Sequence, residues 1–343
     1  MKNKIIAVVA LICLLTIPST SLAESKKYLY RISGNSRYET AVMTSKVSYK
    51  KASNAVIVSG RKFPDGLTGG VLASVLNGPV LLVDKDTIPQ SVKDELKRLQ
   101  VKNIYVVGGE STISNASISQ LNGYKIIRVK GYNRIKTATE VLKHIDSSGY
   151  SYNKRYLAFA NSQKFPDSLS ASGYLANTKI PLLLTNGKTL EQENIDVLNN
   201  RGIREVIIAG GESSVNPRIL SNNNIVNKIE KTSFSGKSRY LTSLDIAKKG
   251  FSNAKSIVLV SGEDFPDALS ASNIAKYVKG PILLTNSSSI DKNIVDYIKN
   301  SEINRIIVVG GKSRVPDKLL EVINRDQIRG PEEIGDPDED PVG

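Results

Sequence analysis

One pentapeptide pattern occurs three times in this chain of 343 residues, and the repetition constrains the fold more than any other feature. Phe63-Pro64-Asp65-Gly66-Leu67 returns as Phe165-Pro166-Asp167-Ser168-Leu169 and as Phe265-Pro266-Asp267-Ala268-Leu269, at steps of 102 and 100 residues. A fixed period is typical of tandem copies of one structural unit. The sequence therefore predicts three copies of a unit of about 100 residues.

Four further blocks accompany the pattern in each copy, always in the same order. A Gly-x-x-Arg segment comes first, beginning at Gly34, Gly131 and Gly236. Apolar runs precede Phe-Pro-Asp at 55–58, 156–159 and 257–260, and Pro-led apolar runs follow it at 79–83, 181–185 and 281–285. A Gly-Gly pair closes each copy. Five blocks in constant order, three times over, exclude a chance match.

The apolar runs predict the fold class. They are four to six residues long, rich in Val, Ile and Leu, and do not alternate with polar residues, which is typical of parallel strands buried on both faces. Between them lie helical segments such as 91–99, where Val92, Leu96 and Leu99 share one face. Alternating strands and helices indicate an α/β fold, here three Rossmann-like or flavodoxin-like parallel-sheet repeats. The predicted repeats are 24–125, 126–230 and 231–330.

The first 23 residues predict export. Lys2 and Lys4 precede an apolar core, and Ser21-Leu22-Ala23 offers small residues at a cleavage site, as in a secretory signal peptide. A retained anchor is the alternative, but the run 5–17 is shorter than the roughly 20 residues of a spanning helix. Cys13 lies inside the core and follows Ile12, which disfavours lipid attachment.

Composition excludes several classes of chemistry. The chain has one Cys, within the signal segment, and one His, His144. A disulfide framework, an ordinary zinc site and a Ser-His-Asp triad all need more of these residues. We therefore predict a protein that is not an enzyme, with no catalytic residue, no metal and no cofactor.

Charge points to an anionic partner. The net charge is +14, and the three predicted repeats carry +7, +5 and +6. A positive balance shared by all copies indicates a long anionic partner that is contacted repeatedly. We predict no nucleic-acid partner for an exported protein, which leaves anionic wall polymers and anionic lipid. Residues 331–343 hold six acidic residues, three Pro and no basic residue, which predicts a disordered acidic tail.

Two recurring motifs admit a structural and a functional interpretation. Gly-Gly after a strand can expose N–H groups to an anion, but no Gly-x-Gly-x-x-Gly occurs and a tight turn is favoured. The Asp could be a general base or metal ligand, but Pro-Asp is a helix-start signature and no second carboxylate recurs beside it. We predict structural turns and caps at Gly108, Gly109, Gly210, Gly211, Gly310, Gly311, Asp65, Asp167 and Asp267.

Three arginines recur near the start of a predicted helix: Arg37, Arg134 and Arg239. A guanidinium group suits bidentate recognition of phosphate or carboxylate. A surface or capping role fits the same position equally well. Both interpretations remain open, and the three arginines are candidate binding residues.

In combination, these blocks resemble the cell-wall-binding repeat 2 (CWB2) family. The resemblance rests on Gly-x-x-Arg-Tyr-x-Thr, Phe-Pro-Asp-x-Leu, Pro-[Val/Leu/Ile]-Leu-Leu and Val-Gly-Gly, and covers nearly all of residues 28–325. It implies three repeats packed with pseudo-threefold symmetry and noncovalent anchoring to an anionic secondary polymer of a Gram-positive, clostridial wall. It also implies a secreted protein at the cell wall or S-layer surface, with S-layer proteins as further partners and no transmembrane anchor.

The family's Ile-Leu-Leu motif, linked to polymer binding, corresponds to three triplets here. They are Val80-Leu81-Leu82, Leu182-Leu183-Leu184 and Ile282-Leu283-Leu284, of which the third alone matches letter for letter. A bare apolar triplet is typical of a buried strand. We therefore expect a mostly architectural role, with neighbouring polar residues touching the polymer.

The copies differ at two charged positions. A lysine precedes Phe-Pro-Asp in two copies, whereas the third has Asp264, and Glu110 and Glu212 are replaced by a lysine in the third copy. The basic candidates for polymer binding at these positions are Lys62, Lys164 and Lys312. We expect three sites that are not equivalent.

Two functions compete at this point. The leading one is a non-catalytic wall anchor, because the signal segment, three repeats and tail are expected to account for the chain without an effector module. The alternative is an accessory factor, or the remnant of an amidase-type wall hydrolase whose catalytic module is absent.

Overall fold

The computed structural model describes residues 26–221, 225, 228–324 and 326–339. The predicted signal segment and Cys13 lie outside the described residues. The strands are β1 (Tyr28–Ile32), β2 (Asn54–Ser59), β3 (Val80–Val83), β4 (Asn103–Val107), β5 (Lys125–Val129), β6 (Tyr156–Asn161), β7 (Leu182–Thr185), β8 (Glu205–Ala209), β9 (Glu230–Phe234), β10 (Ser256–Ser261), β11 (Ile282–Thr285) and β12 (Arg305–Val309). The helices are α1 (Arg37–Ser48), α2 (Pro64–Val75), α3 (Gln90–Arg98), α4 (Asn115–Ile118), α5 (Arg134–Ser147), α6 (Pro166–Thr178), α7 (Gln192–Asn200), α8 (Arg239–Gly250), α9 (Pro266–Tyr277), α10 (Lys292–Lys299) and α11 (Asp317–Leu320), with a 3-10 turn at Pro331–Glu333.

The strands form three four-stranded sheets, with the orders β3-β2-β4-β5, β7-β6-β8-β9 and β1-β12-β10-β11. Every neighbouring pair among these strands is parallel. Helices separate consecutive strands along the chain, except for β8 and β9, which are joined by a long connection with no helix among its described residues. The predicted α/β fold of three parallel-sheet repeats is confirmed.

The first strand of the chain belongs to the last sheet. Residues 28–32 of β1 pair with 305–309 of β12, whereas the next helix, α1, packs against β3 of the first sheet. In the same way β5 and β9 pair within the preceding repeat, while α5 and α8 pack on β7 and β11 of the following one. Each Gly-x-x-Arg segment thus crosses between repeats, and the predicted boundaries at 125/126 and 230/231 fall at these crossing strands.

Each sheet buries both faces, as the continuous apolar runs predict. In β2, Val56 and Val58 join a central cluster shared by all three repeats, whereas Ala55 and Ile57 face an outer cluster with two apolar residues of α3. All four strand residues are fully buried. Burial of a Val or Ile side chain contributes about 1.5–3 kcal/mol, so the alternating clusters fix the sheet between two apolar layers.

Three helices surround a central axis. Helices α2, α6 and α9 each begin at the Pro of Phe-Pro-Asp and pack against one another. The rings of Phe63, Phe165 and Phe265 meet at inclined angles near 60°, with centroids 5.6, 5.8 and 6.0 Å apart. Such pairs add about 0.5–1.5 kcal/mol each beyond area burial. The near-equal spacing marks a pseudo-threefold axis through the molecule.

The acidic tail differs from the predicted disordered linker over residues 331–339. Ile334 is buried, Asp338 forms an ion pair with Lys279 (2.7 Å), and Arg305 donates to the Glu339 carbonyl oxygen (2.5 Å). Composition alone did not reveal that Ile334 is buried in the core or that Asp338 pairs with a lysine. Residues 340–343 lie outside the described part.

Candidate functional site

The Gly-x-x-Arg segment is a closed loop at the start of α1, α5 and α8. In the first copy, Ser36 Oγ accepts a hydrogen bond from the Glu39 N–H and caps α1. The Gly34 N–H donates to Thr40 Oγ1 at 3.1 Å, and the same contact recurs at 3.1 Å in both other copies. The residue before the arginine is therefore the helix cap, a Ser or Asn signal that our sequence interpretation missed.

Each recurring arginine lies between two repeats. Nη1 of Arg37, Arg134 and Arg239 donates to the carbonyl oxygens of Gly60, Ser162 and Gly262, at 2.6, 2.7 and 2.5 Å. Arg134 also interacts electrostatically with Asp65 of the preceding repeat, and Arg37 with Asp267. Arg239 lies 5.9 Å from the ring centroid of Phe165. One nitrogen of each guanidinium is thus bonded to a backbone carbonyl oxygen of its own repeat, while the group also faces a neighbouring repeat.

The Asp of Phe-Pro-Asp meets the first Gly of Gly-Gly in every copy. Gly108 has φ +122°, and a Cβ atom there would lie 2.7 Å from Asp65 Oδ2. The equivalent distances are 2.7 Å at Gly210 and 2.6 Å at Gly310. The residue before the helix, Phe63, makes no side-chain cap, and the aspartate sits one residue into the first turn. Asp65 therefore packs on the glycine turn near the positive end of the helix dipole.

Burial sets the protonation behaviour of these carboxyl groups. It raises the pKa of Asp65 above its ordinary value, against the opposing effect of Arg134 and Lys62. It also raises the pKa of Asp267, where the nearby Asp264 adds to the shift. Their ionised forms are therefore costly unless cations stay close.

These segments enclose a cleft at the first and second junctions between repeats. The first cleft has a volume of about 660 Å³ and lies between the Phe-Pro-Asp and Gly-Gly segments of the first repeat and the Gly-x-x-Arg segment of the second. The second cleft, of about 420 Å³, has the same walls one repeat further on. At the third junction, Asp267 of the last repeat faces Arg37 and Thr40 of the first. We call the two cavities the first and second cleft, and the corresponding position at the third junction, formed by Asp264, Asp267, Arg314 and Arg37, the third cleft.

The structure brings several predicted residues together in the clefts. Arg134 and Lys62 line the first cleft, and Arg239 and Lys164 line the second. Both lysines are exposed, and their Nζ atoms lie 3.5 and 2.7 Å from carbonyl oxygens of the Gly-Gly loop. Among the ion pairs of the described residues, none involves either lysine.

Lys312 lies elsewhere. Its Nζ forms an ion pair with Asp317 at 2.7 Å. The residues at the same position in the other copies, Glu110 and Glu212, are absent from the walls of the first and second clefts. The structure therefore does not group Lys312 with the two cleft lysines.

The nine residues of the apolar triplets are interior. They lie at β3, β7 and β11 with at most 2% of their surface exposed. Such side chains contact protein on all sides, so any polymer contact must come from neighbouring groups.

Two cleft residues escaped the sequence interpretation. Tyr132 is 78% exposed and lines the first cleft, and Lys237 lines the second. Both follow the Gly of Gly-x-x-Arg directly. The three copies have different residues at this position, so the repeat pattern alone gave no signal.

Two features are absent from the described ranges. None of their helices combines the length and apolar character needed to cross a bilayer. They contain no cluster of three or more His, Cys, Asp or Glu side chains suited to a metal ion.

Three parallel-sheet repeats around one axis, with clefts at their junctions, define a repeat-built α/β binding module as the class of this protein. The chain belongs to the cell wall binding domain 2 (CWB2) family, whose model matches residues 31–118, 128–220 and 234–320.

Known proteins share this module as part of longer chains. The N-acetylmuramoyl-L-alanine amidase LytC of Bacillus subtilis is 28% identical over 319 residues, which are 92% of this chain and 61% of LytC. The amidase enhancer of the same organism is 27% identical over 83% of this chain and 38% of its own length. The chain therefore spans less than two thirds of either relative.

Solved structures share the fold. Cwp6 from Clostridium difficile superposes with a TM-score of 0.80 and 24% identity, over 90% of this chain and 50% of Cwp6. Cwp8 from the same organism gives a TM-score of 0.73 and 26% identity, over 87% of this chain and 52% of Cwp8. The family match supports cell wall binding, which agrees with the sequence resemblance.

Proposed function

We propose that this chain is an exported, non-catalytic protein that anchors itself to the cell wall by binding an anionic wall polymer at the repeat junctions. Cell wall binding follows from the family. The nature of the polymer, the position of the site and the lack of catalysis are the proposal.

One observation carries the proposal: the first and second clefts each present an exposed lysine with no carboxylate partner among the described ion pairs. Lys62 and Lys164 reach the same loop from the same position. Each cleft also holds an arginine fixed through a single nitrogen, Arg134 or Arg239. An ammonium and a guanidinium in one cleft suit a phosphate or carboxylate group.

Repetition supplies the strength of binding. Each cleft is open to solvent, and an exposed charge pair contributes at most about 1 kcal/mol. Two or three such sites on one rigid body engage one polymer with a high effective concentration, so the avidity exceeds the affinity of each site. A long polymer with regularly spaced anionic groups is the ligand that this arrangement favours.

A pull-down with cell walls tests the proposal. The chain from residue 24 onward should bind intact walls and lose binding to walls stripped of their anionic polymer. Binding should weaken as salt rises from 0.15 M to 1 M, because the Debye length falls from about 8 Å to about 3 Å. Equal binding to stripped and intact walls would refute the proposal.

A matched pair of variants places the site. Lys62→Ser removes a cleft lysine, whereas Lys299→Ser removes an exposed lysine from the last turn of α10, a helix that contributes no residue to the first or second cleft. We expect weaker wall binding from Lys62→Ser and unchanged binding from Lys299→Ser. Equal effects would place the binding surface outside the clefts.

The similarity to an amidase and to an amidase enhancer favours one alternative function, an accessory role to a wall hydrolase. Adding the chain to walls together with a purified amidase distinguishes the two. Faster release of soluble wall fragments with the chain present would favour the accessory role, and release by the chain alone would contradict a non-catalytic protein.

A further inference from the structure

The two residues before Phe-Pro-Asp change in charge from one repeat to the next. They are Arg61-Lys62 in the first repeat, Gln163-Lys164 in the second and Glu263-Asp264 in the third. Their formal charges are +2, +1 and −2. All three pairs lie between the end of β2, β6 or β10 and the phenylalanine at the axis. The third cleft therefore carries negative charge where the other two carry positive charge.

The facing loop changes in step. In the first two repeats a lysine approaches the carbonyl oxygen of Ser111 or Ser213. In the third, Asp264 Oδ2 accepts a hydrogen bond at 2.8 Å from Nη2 of Arg314, which stands in the position of Thr112 and Ser214. In the third repeat the cationic residue therefore lies in the Gly-Gly loop instead of before the Phe-Pro-Asp helix. The carboxylate of Asp264 neutralises it.

Asp267 adds a second carboxylate to the third cleft. It interacts electrostatically with Asp264 and with Arg37, whose Nη1 donates to the Gly60 carbonyl oxygen. A phosphate or carboxylate that entered here would have to displace Asp264 from Arg314 and would meet two carboxylates within one cleft. Like charges within one partly desolvated cleft repel each other.

We propose that the third cleft does not bind the anionic polymer, and that the chain holds the polymer through its first and second clefts only. This inference rests on the proposed function, and it assigns Asp264 and Arg314 as the residues that exclude the polymer from the third junction. The pseudo-threefold body therefore offers two binding sites rather than three.

Matched substitutions test the inference with a named probe, the soluble anionic polymer released from cell walls, by titration calorimetry on the chain from residue 24 onward. Lys62→Ser and Lys164→Ser should each lower the affinity about threefold to tenfold, the effect of one charged hydrogen bond partly open to water. Arg314→Ser should leave the affinity within twofold of the parent. A loss with Arg314→Ser equal to that of the lysine variants would overturn the inference, because the third cleft would then bind.

A gain-of-binding variant adds an independent readout. Asp264→Lys combined with Arg314→Thr reproduces the Lys62 and Thr112 chemistry in the third cleft and should raise the affinity about threefold to tenfold. Circular dichroism melting checks that every variant is folded. A folded double variant with unchanged affinity would overturn the inference while the lysine variants still support the proposed function. Unchanged affinity for both lysine variants would refute the proposed function itself, and the inference with it.

Discussion

Replacement of Gly108 by alanine should destabilise the whole module, because two costs coincide at this position. Its φ of +122° lies where an L-residue rarely occurs, which costs about 1–3 kcal/mol. The new Cβ atom would lie 2.7 Å from both Asp65 Oδ2 and Thr112 Oγ1. Moving these buried or half-buried groups adds about 1 kcal/mol, so the expected loss in the free energy of unfolding is about 2–4 kcal/mol.

The neighbouring glycine provides the control. A Cβ atom on Gly109 would meet nothing within 4 Å, so Gly109→Ala should stay within about 0.5 kcal/mol of the parent. Urea unfolding followed by far-ultraviolet circular dichroism measures both variants on the same chain. Unfolding of Gly108→Ala and Gly109→Ala at the same urea concentration would show that the turn geometry does not require glycine at position 108.

Three further predictions concern stability. Phe63→Ala removes one of three rings that meet at 5.6–6.0 Å and should cost about 2–4 kcal/mol in urea unfolding; a loss below about 1 kcal/mol would contradict a stabilising role for the axis. Burial raises the pKa of Asp65, so the carboxyl group contributes stability below its unfolded-state pKa and loses it as the pH rises through the higher folded-state value. Asp65→Asn should therefore melt above the parent at pH 7 and level with it at pH 3.5, and a lower melting temperature at pH 7 would show a net favourable ion pair with Arg134. Burial lowers the pKa of Lys276 to about 8 from 10.5, so the unfolded chain binds more protons than the folded chain between these pH values. The melting temperature of the parent should therefore rise relative to that of Lys276→Met as the pH increases from 8 to 10.5. A constant difference between the two melting temperatures over this range would contradict the prediction.

Local pattern was sufficient to predict the strands of the continuous apolar runs and one helix face. The residues at 55–58 form a strand buried on both sides, and Val92 and Leu96 point into the core from α3. Such predictions succeed because burial depends on the period of the apolar residues, which a short segment already displays. The same pattern correctly predicted that the apolar triplets would be interior.

Contacts between residues far apart in the chain could not be predicted from local pattern. The local sequence of β1 does not say which sheet it joins, and only assembly of all repeats places it beside β12. Local pattern also could not decide between a capping and a binding role for the three arginines, because each guanidinium faces a neighbouring repeat. The tail was misjudged because composition does not reveal that Ile334 and Asp338 have partners.

Three copies of one α/β unit, the strands of their apolar runs and the amount of positive charge they carry can all be predicted from the sequence. The tertiary structure alone decided that these copies close around Phe63, Phe165 and Phe265, and that each cleft is built from two repeats. It also decided that Asp264 is neutralised by Arg314, fifty residues away. The physical reason is that periodicity reports the burial of a segment, whereas charge pairing and cleft shape depend on which segments meet in space.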